Sequence, residues 1–344
     1  MPTIKDIADL AGVSRGTVDR VLNHRGSVNP QTAKKILEIA DKLNYKPNRA
    51  GLVLAAQKKN IRLGVILFGK GNPFFDDVVK SIRQKEEELA CYHCRILLKW
   101  TDVDVDEQLA AIDELLAEGV SGIAISPAND PRLAERINEL ADRDIPVVTL
   151  NTDITGCRRL AFVGSNYYQT GATAAGLMRL MAGHNRAPIH VGIISGSYKI
   201  LCHTERIEGF KNAILKDDRF HIEDTIVNDE DDSVSYERTL HLLQEHPGIN
   251  ALYFAASGIS GGCKAALDTG RARDMTIITY DAVPSTCRLL EEDVISATIC
   301  QQPEVQGRLP LEILFNYLAA GEGPKTDVNY TTVDIRIKEN LRAD

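Results

Sequence analysis

The chain has 344 residues, with 44% apolar and 26% charged side chains, a composition typical of a globular protein of about two or three domains. No apolar run reaches the ~18 residues that a membrane-spanning helix needs. The first residues lack the basic, apolar and small-residue succession of a secretion signal, so we expect a cytoplasmic protein without a membrane partner. Residues 1–60 contain eleven basic and five acidic side chains, a net charge of +6, whereas the remainder has 29 and 43, a net charge of −14. This asymmetry predicts that a polyanion binds the N-terminal part.

Residues 1–47 are predicted to form a small domain of three helices. Thr3 lies three residues before Asp6, as in a capping box that begins a helix. Gly12 then suits the end of that helix, Ser14 suits the cap of a second, and Asn29-Pro30 suits the start of a third. Two short helices joined by a tight turn and braced by a third predict a helix-turn-helix, whose second helix enters the major groove of DNA. A small helical bundle with a solvated basic face has the same pattern, so the spacing alone leaves both open.

The segments "TIKDIADLAGVSRGTVDRVLN" (3–23) and "LNYKPN" (43–48) closely resemble the head of the lactose/galactose repressor (LacI/GalR) family. The resemblance implies that Arg15 and Gly16 read bases and that Arg20 contacts a guanine, as a bidentate donor to O6 and N7 does. Asp19 stands where the family usually has Ser, and we interpret it as a specificity element that accepts from a cytosine or orients Arg20. Phosphate contacts are implied for Ser14, Thr17 and Asn23. The residues predicted to contact DNA are Thr3, Ser14, Arg15, Gly16, Thr17, Asp19, Arg20, Asn23 and Leu54.

Residues 48–60, "NRAGLVLAAQKKN", are predicted to link the head to the rest of the chain. The family resemblance implies a hinge helix that forms on DNA and inserts Leu54 into the minor groove, which bends the duplex. Gly51 departs from the family pattern and weakens a helix by ~1 kcal/mol relative to Ala. A plain tether, with Leu54 packed on the body, is the alternative.

From residue 61 onward, short β-rich apolar runs alternate with helical stretches of 12–17 residues. This alternation predicts parallel sheets with helices on both faces, and ligands of such sheets bind beyond the carboxyl ends of the strands. The runs are "IRLGVILF", "CRILLKW", "VSGIAIS", "IPVVTL", "IHVGIIS", "NALYFAA" and "MTIITY". Polar loops follow most of them, and turn capping is an alternative role for each loop side chain.

Residues 61–344 resemble the type 1 periplasmic-binding fold, through "NPFF", "IPVVTL", "TER-x-x-GF" and "ATICQQP-x-x-QG" in that order. The predicted fold class is therefore an α-helical helix-turn-helix head plus an α/β two-lobed, type 1 periplasmic-binding-protein-like body that binds the effector and forms the dimer. The resemblance implies two lobes joined by three crossovers. We predict one lobe at about 61–162 plus 298–324 and the other at 163–297 plus 325–344.

The resemblance further implies one small ligand held between the lobes. A polar contact is implied for Asn72, aromatic stacking for Phe74 and Phe75, and a grip on adjacent hydroxyls for Asp281. Thr204 falls where most members have an arginine; His203 or Arg206 is a possible substitute, although Arg206 is equally compatible with a solvated helix position. The residues predicted to bind the ligand are Asn72, Phe74, Phe75, Asn151, Thr152, Thr204, Ser257, Asp281 and Gln301.

These patterns favour a ligand-responsive transcriptional regulator, predicted to be a repressor that binds a pseudo-palindromic operator as a homodimer and responds to a carbohydrate-like effector. A solute-binding or sugar-sensing protein with a degenerate head is the alternative. No Walker loop, G-x-G-x-x-G or G-x-S-x-G motif is found, so we do not expect an enzyme, catalytic residues or a cofactor. Seven scattered cysteines suggest reduced thiols. "CYHC" at 91–94 lacks a second ligand pair and the haem-binding His, so no metal is predicted.

Overall fold

The computed structural model describes residues 2–22, 28–43, 60–184 and 187–341. The described part of the head consists of α1 (Ile4–Ala11), α2 (Arg15–Leu22) and α3 (Pro30–Lys42). The predicted DNA contacts Asn23 and Leu54, with almost all of the predicted hinge, lie outside the described residues.

Local side-chain caps set the ends of the head helices. The Thr3 hydroxyl accepts from the Asp6 amide at 3.3 Å, and the Asp6 carboxylate accepts from the Thr3 amide at 2.7 Å, which completes the predicted capping box. Gly12 ends α1 with a φ of 72°, a left-handed conformation that glycine adopts without strain. Lys35 of α3 donates to the Ala11 carbonyl at 3.0 Å and places a cation at the C-terminus of α1. The three helices bury a common core of Ile7, Ala8, Ala11, Val18, Val21, Ile36 and Ala40.

The body alternates strands and helices along most of its length, as the sequence pattern predicts. Its first elements are β1 (Arg62–Leu67), α4 (Pro73–Ala90), β2 (Arg95–Trp100), α5 (Val105–Ala117), β3 (Gly122–Ile125), α6 (Pro131–Asp142), β4 (Val147–Leu150), β5 (Ala161–Gly164), α7 (Tyr167–Ala182), β6 (Ile189–Ser195) and α8 (Leu201–Ile214). The chain continues with β7 (Phe220–Val227), α9 (Asp232–Glu245), β8 (Ala251–Phe254), α10 (Ile259–Asp268), β9 (Thr276–Tyr280), α11 (Pro284–Glu291), β10 (Ala297–Cys300), α12 (Pro303–Ala320), β11 (Val328–Tyr330) and β12 (Asp334–Arg336). Within these described ranges, no helix is both long and apolar enough to cross a bilayer.

The strands form two six-stranded sheets, one in each lobe. The first has the order β11-β5-β4-β3-β1-β2 and the second β12-β10-β9-β8-β6-β7. All neighbouring strands are parallel except β12, which pairs antiparallel with β10. The inner strands are almost fully buried, because helices cover both faces of each sheet, whereas the outer parallel strands β2, β7 and β11 are mostly half-buried. Three crossovers join the lobes: β5 to α7, β10 to α12, and β11 to β12.

Strand pairing moves the lobe boundaries away from the predicted ones. β5 lies wholly in the first sheet, so the predicted boundary after residue 162 falls inside a strand. β10 pairs with β9 and belongs to the second lobe, whereas β11 pairs with β5 and belongs to the first. The predicted assignments of 298–300 and 328–330 are therefore wrong. β10 and β11 are only four and three residues long, and the sheet that each joins depends on tertiary contacts that its own residues do not encode.

Candidate functional site

The loops at the carboxyl ends of both sheets enclose a small space between the lobes, which we call the inner pocket. Four of its residues directly follow a strand: Phe68 after β1, Asn151 after β4, Asp281 after β9 and Gln301 after β10. This is the edge at which parallel α/β sheets bind ligands. The remaining lining residues are Asn72, Phe74, Phe75, Cys202, His203, Arg206, Glu230, Ala256, Ser257, Ile259, Tyr280 and Val283.

Seven of the nine residues predicted to bind the ligand line the inner pocket: Asn72, Phe74, Phe75, Asn151, Ser257, Asp281 and Gln301. The other two do not. The Thr152 hydroxyl accepts from the Cys202 amide at 3.2 Å, across the boundary between the lobes. The Thr204 hydroxyl donates to the Leu201 carbonyl at 2.8 Å and so serves its own helix. The predicted placement of Thr204 in the pocket is therefore wrong.

Arg206 occupies the position in the pocket that the family resemblance predicted for Thr204. Its side chain is 4% exposed, and its Nη atoms donate to the Ala255 carbonyl and to Gln301 Oε1, both at 3.0 Å. The guanidinium carbon lies 3.7 Å from the centroid of the Tyr280 ring and 4.9 Å from that of Tyr167. Such contacts hold a cation in a fixed orientation. The interpretation of Arg206 as a solvated helix residue is wrong.

A chain of hydrogen bonds joins the arginine to an acid on the same side of the pocket. Gln301 Oε1 accepts from Arg206, and Gln301 Nε2 donates to Asp281 Oδ2 at 2.9 Å. Gln306 braces this chain, because its Nε2 donates to the Gln301 carbonyl at 2.7 Å and its Oε1 accepts from Asn151 at 3.3 Å. Burial raises the pKa of the Asp281 carboxyl to about 6, although Arg206 and Gln301 oppose the shift. The pocket therefore presents a charged donor and a charged acceptor side by side at neutral pH.

A second acid borders the pocket, and the sequence analysis did not find it. Glu230 Oε1 lies 3.0 Å from Nε2 of His203, whose Nδ1 lies 3.3 Å from the Ser197 carbonyl. Burial lowers the pKa of His203, but Cys202 and Glu230 outweigh it and raise the pKa to about 10. His203 is therefore an imidazolium at neutral pH and donates to both partners. No motif marks Glu230, which lies in an acidic loop far along the chain from His203.

The loops that carry these groups have an unusual backbone. Asn151 and Asp281, each directly after a strand, have φ values of 63°, and Gln302 has a φ of 54°. Asp229 and Glu230 have φ values of 51° and 63°. Left-handed conformations are uncommon outside glycine, cost of order 1–3 kcal/mol each, and cluster at functional sites. Five of the nine such non-glycine residues in the described part of the chain lie in these loops.

The inner pocket continues into a wider outer chamber at the mouth of the cleft. Five residues line both spaces: Asn72, Glu230, Ser257, Ile259 and Val283. The inner pocket encloses about 60 Å³ and the outer chamber about 860 Å³. A ligand can thus enter from the mouth, and a substituent on it can extend outward past Glu230.

The start of α8 also fastens the two lobes together. The Lys199 carbonyl accepts from the Asn129 amide of the first lobe at 2.8 Å, and the Cys202 amide donates to Thr152. Ile200 is fully buried within the apolar cluster of the first lobe, although its chain segment belongs to the second. The two lobes are therefore in direct contact at the start of α8.

The predicted DNA contacts on α2 form an exposed surface. Arg15, Gly16 and Arg20 are exposed, and Asp19 is half-buried. Arg20 Nε donates to the Gly16 carbonyl at 3.1 Å, so its side chain lies along the helix. The other residues predicted to contact DNA in the described head make hydrogen bonds to near neighbours in the sequence. The Ser14 and Thr17 hydroxyls lie 2.9 Å apart, and the Thr3 hydroxyl donates to the Asp6 carboxylate at 2.8 Å.

The fold and the cleft together define a class of protein: a two-lobed α/β ligand-binding body joined to a helix-turn-helix head. The model "Periplasmic binding protein domain" matches residues 63–323, and the model "Bacterial regulatory proteins, lacI family" matches residues 3–48. The chain belongs to the lacI family of regulatory proteins, and its body is a periplasmic binding protein domain.

Similar proteins cover most of the chain. Catabolite control protein A of Priestia megaterium is 28% identical over 285 residues, which are 81% of this chain and 82% of that protein. The ribose operon repressor of Halalkalibacterium halodurans is 26% identical over 306 residues, with coverages of 88% and 86%. Among solved structures, GanP, a glucose-galactose binding protein from Geobacillus stearothermophilus, superposes with a TM-score of 0.73 at 26% identity and covers 81% of this chain and 99% of its own.

Proposed function

We propose that this protein is a ligand-responsive transcriptional repressor without enzymatic activity, controlled by a small, neutral, sugar-like effector bound in the cleft. It binds a pseudo-palindromic operator as a homodimer in the cytoplasm, because two symmetry-related heads read two half-sites. The observation that carries the effector class is the Arg206–Gln301–Asp281 chain.

The hydrogen-bonded series from Arg206 through Gln301 to Asp281 suits a ligand with adjacent hydroxyl groups. A hydroxyl both donates and accepts, so neighbouring hydroxyls can satisfy the arginine and the carboxylate together. Phe74 and Phe75 supply the apolar wall that the face of a sugar ring needs. The names of the similar repressor and of the similar sugar-binding structure support the same class.

Effector binding couples to DNA through lobe closure in this proposal. A ligand held by both lobes favours the closed arrangement, and its effect on operator affinity cannot exceed its differential affinity for the two arrangements. The DNA-reading residues remain those predicted on α2, because their exposed surface and the net charge of +6 on residues 1–60 suit a phosphate backbone.

The test is a selection of genomic fragments on the purified full-length protein, repeated across salt concentrations and with a panel of neutral sugars. Enrichment of a pseudo-palindrome, with affinity falling steeply as salt rises, supports the repressor. A sugar that raises the melting temperature and changes fragment retention supports the effector class. Sugar binding without selective retention of any fragment favours instead a sugar-sensing protein with a degenerate head.

Arg20→Ala is expected to weaken operator binding by about 1–3 kcal/mol and to relax preference at one base position. Loss of a bidentate contact to one guanine is the reason. The measurement is a binding titration against every single-base variant of the selected site. Arg20→Lys is the control, since lysine keeps the charge but not the two-pronged geometry. Full recovery by lysine, or uniform weakening across all sites, would show that Arg20 contacts only phosphate.

Effector affinity is expected to rise about tenfold between pH 5 and pH 7 and then to level off, because the ionised form of a carboxyl with a pKa of about 6 grows by that factor. Only the carboxylate accepts from two ligand hydroxyls, so protonation of Asp281 weakens binding as the pH falls. The sole tryptophan, Trp100, lies 6.4 Å from the pocket residue Phe75, ring to ring, so fluorescence titration can report binding. Asp281→Asn should bind weakly and without this pH dependence; an unchanged profile in that variant would assign the titration to another group.

A further inference from the structure

One pocket residue, Cys202, has no part in the proposed recognition of the effector. Its side chain is 3% exposed, lines the inner pocket and packs in the apolar cluster of the first lobe, which includes Phe68 and Phe74. Its amide makes the cross-lobe hydrogen bond to Thr152. A change of volume or polarity at this sulfur therefore acts directly on the contact between the lobes.

The electrostatic surroundings of Cys202 differ from those of the other buried thiols. Two cations adjoin it, the imidazolium of His203 and the guanidinium of Arg206, and both interact electrostatically with its sulfur. Positive charge stabilises a thiolate, which is the reactive form of cysteine. The other two buried thiols of the described residues, Cys94 and Cys263, interact instead with the carboxylates of Glu86 and Asp232.

The inner pocket also gives a small reagent a place to bind beside this sulfur. Its volume of about 60 Å³ has room for small polar molecules such as water or peroxide. The Nε of Arg206, a side chain 4% exposed on the same pocket, has no hydrogen-bond partner within the described residues. A donor without an acceptor at this position indicates that a polar molecule completes the site.

We propose that Cys202 is an oxidation site for hydrogen peroxide, and that the sulfenic acid formed there weakens closure of the cleft. The thiol first gives its proton to solvent. The thiolate sulfur attacks one peroxide oxygen, an S–O bond forms as the O–O bond breaks, and the departing hydroxide takes a proton to become water. Sulfur is oxidised by two electrons and peroxide is reduced to water.

Oxidation places a polar oxygen where the sulfur now packs against apolar side chains of the first lobe. That oxygen also occupies part of the space that the effector needs. The consequence for gene regulation rests on the proposed function, because it requires that closure controls DNA binding. The oxidation of Cys202 and the weakened contact between the lobes do not depend on the proposed function. They are therefore tested separately from DNA binding.

The experiment treats the purified full-length protein with graded hydrogen peroxide, traps sulfenic acid with dimedone and quantifies each cysteine by peptide mass spectrometry. We expect Cys202 to be labelled at least about tenfold faster than the buried thiols Cys94 and Cys263, because cations accelerate thiolate chemistry. Amide hydrogen exchange is measured on the same samples. Peptides that contain Thr152 and Cys202 should exchange faster after oxidation and recover after reduction with dithiothreitol.

Cys202→Ser is the matched variant, because it keeps a small polar side chain and the backbone bond to Thr152. Its amide exchange should not respond to peroxide, which assigns the response to this sulfur and not to the exposed Cys91. Labelling of Cys202 no faster than that of Cys94 and Cys263 overturns the proposed site. Labelling without a change in exchange at 149–153 and 197–203 overturns its coupling to closure.

Discussion

Replacing Arg206 with alanine is expected to lower effector affinity by about ten- to hundredfold, since hydrogen bonds to charged groups contribute about 1.5–3 kcal/mol. The guanidinium is buried and already oriented by Tyr280 and Gln301, so it meets a ligand without losing side-chain freedom. The measurement is calorimetric titration of the sugar identified by the panel, supported by the fluorescence of Trp100.

Thr204→Ala is the matched control for this prediction, because Thr204 lies on the same helix and was the residue that the sequence placed in the pocket. Its hydroxyl serves the helix backbone, so we expect less than about a twofold change in affinity. Arg206→Lys should recover only part of the loss, because lysine lacks the planar donors that bridge Ala255 and Gln301. A strong effect of Thr204→Ala with a weak effect of Arg206→Ala would contradict the pocket described here.

The second large effect is expected at Gly171, where α7 crosses α8 in close contact. A Cβ at Gly171 would lie 2.0 Å from the Arg206 carbonyl oxygen, which is backbone and cannot turn away. The helices must separate to admit it, and forced repacking of this kind costs about 1–3 kcal/mol. Gly171→Ala should therefore lower the free energy of unfolding and, by displacing α8, weaken effector binding as well. Chemical denaturation and effector titration measure the two effects.

Gly176→Ala is the control for Gly171→Ala, because it makes the same chemical change on the same helix. A Cβ at Gly176 meets no atom within 4 Å. Alanine favours a helix over glycine by about 1 kcal/mol, so this variant should be as stable as the parent protein or more so. Equal stability of the two variants would mean that α7 and α8 are not held in contact at Gly171.

These predictions converge on one segment, from Lys199 to Arg206, which combines three roles. It fastens the lobes through Lys199 and Cys202, it buries Ile200 in the opposite lobe, and it carries Arg206 into the pocket. A ligand that contacts this segment of the second lobe and the first-lobe residues Phe74 and Phe75 is therefore sensitive to how the lobes are arranged. Such differential contact is what a ligand needs to shift an equilibrium between two arrangements.

The amino-acid sequence by itself determined the local features of the protein. The capping box at Thr3, the left-handed Gly12 and the Asn29-Pro30 helix start all appear in the structure as predicted, because each depends on residues a few positions apart. Strand-forming runs also predicted the parallel sheets, and hence the edge where the cleft lies. Seven predicted ligand residues meet at that edge, because consecutive strands bring their following loops together.

The tertiary structure alone decided which face of α8 lines the inner pocket. Thr204 and Arg206 are two residues apart, which is a rotation of about 200° on a helix, so a shift of two positions in a sequence comparison exchanges the pocket face for the opposite one. That rotation is set by the contact between Gly171 and the Arg206 backbone, and by Ile200 in the first lobe. The pairing of Glu230 with His203 and the lobe assignment of β10 and β11 depend likewise on distant segments. Contacts between residues far apart in the chain leave no periodic signal, so only the folded structure reveals them.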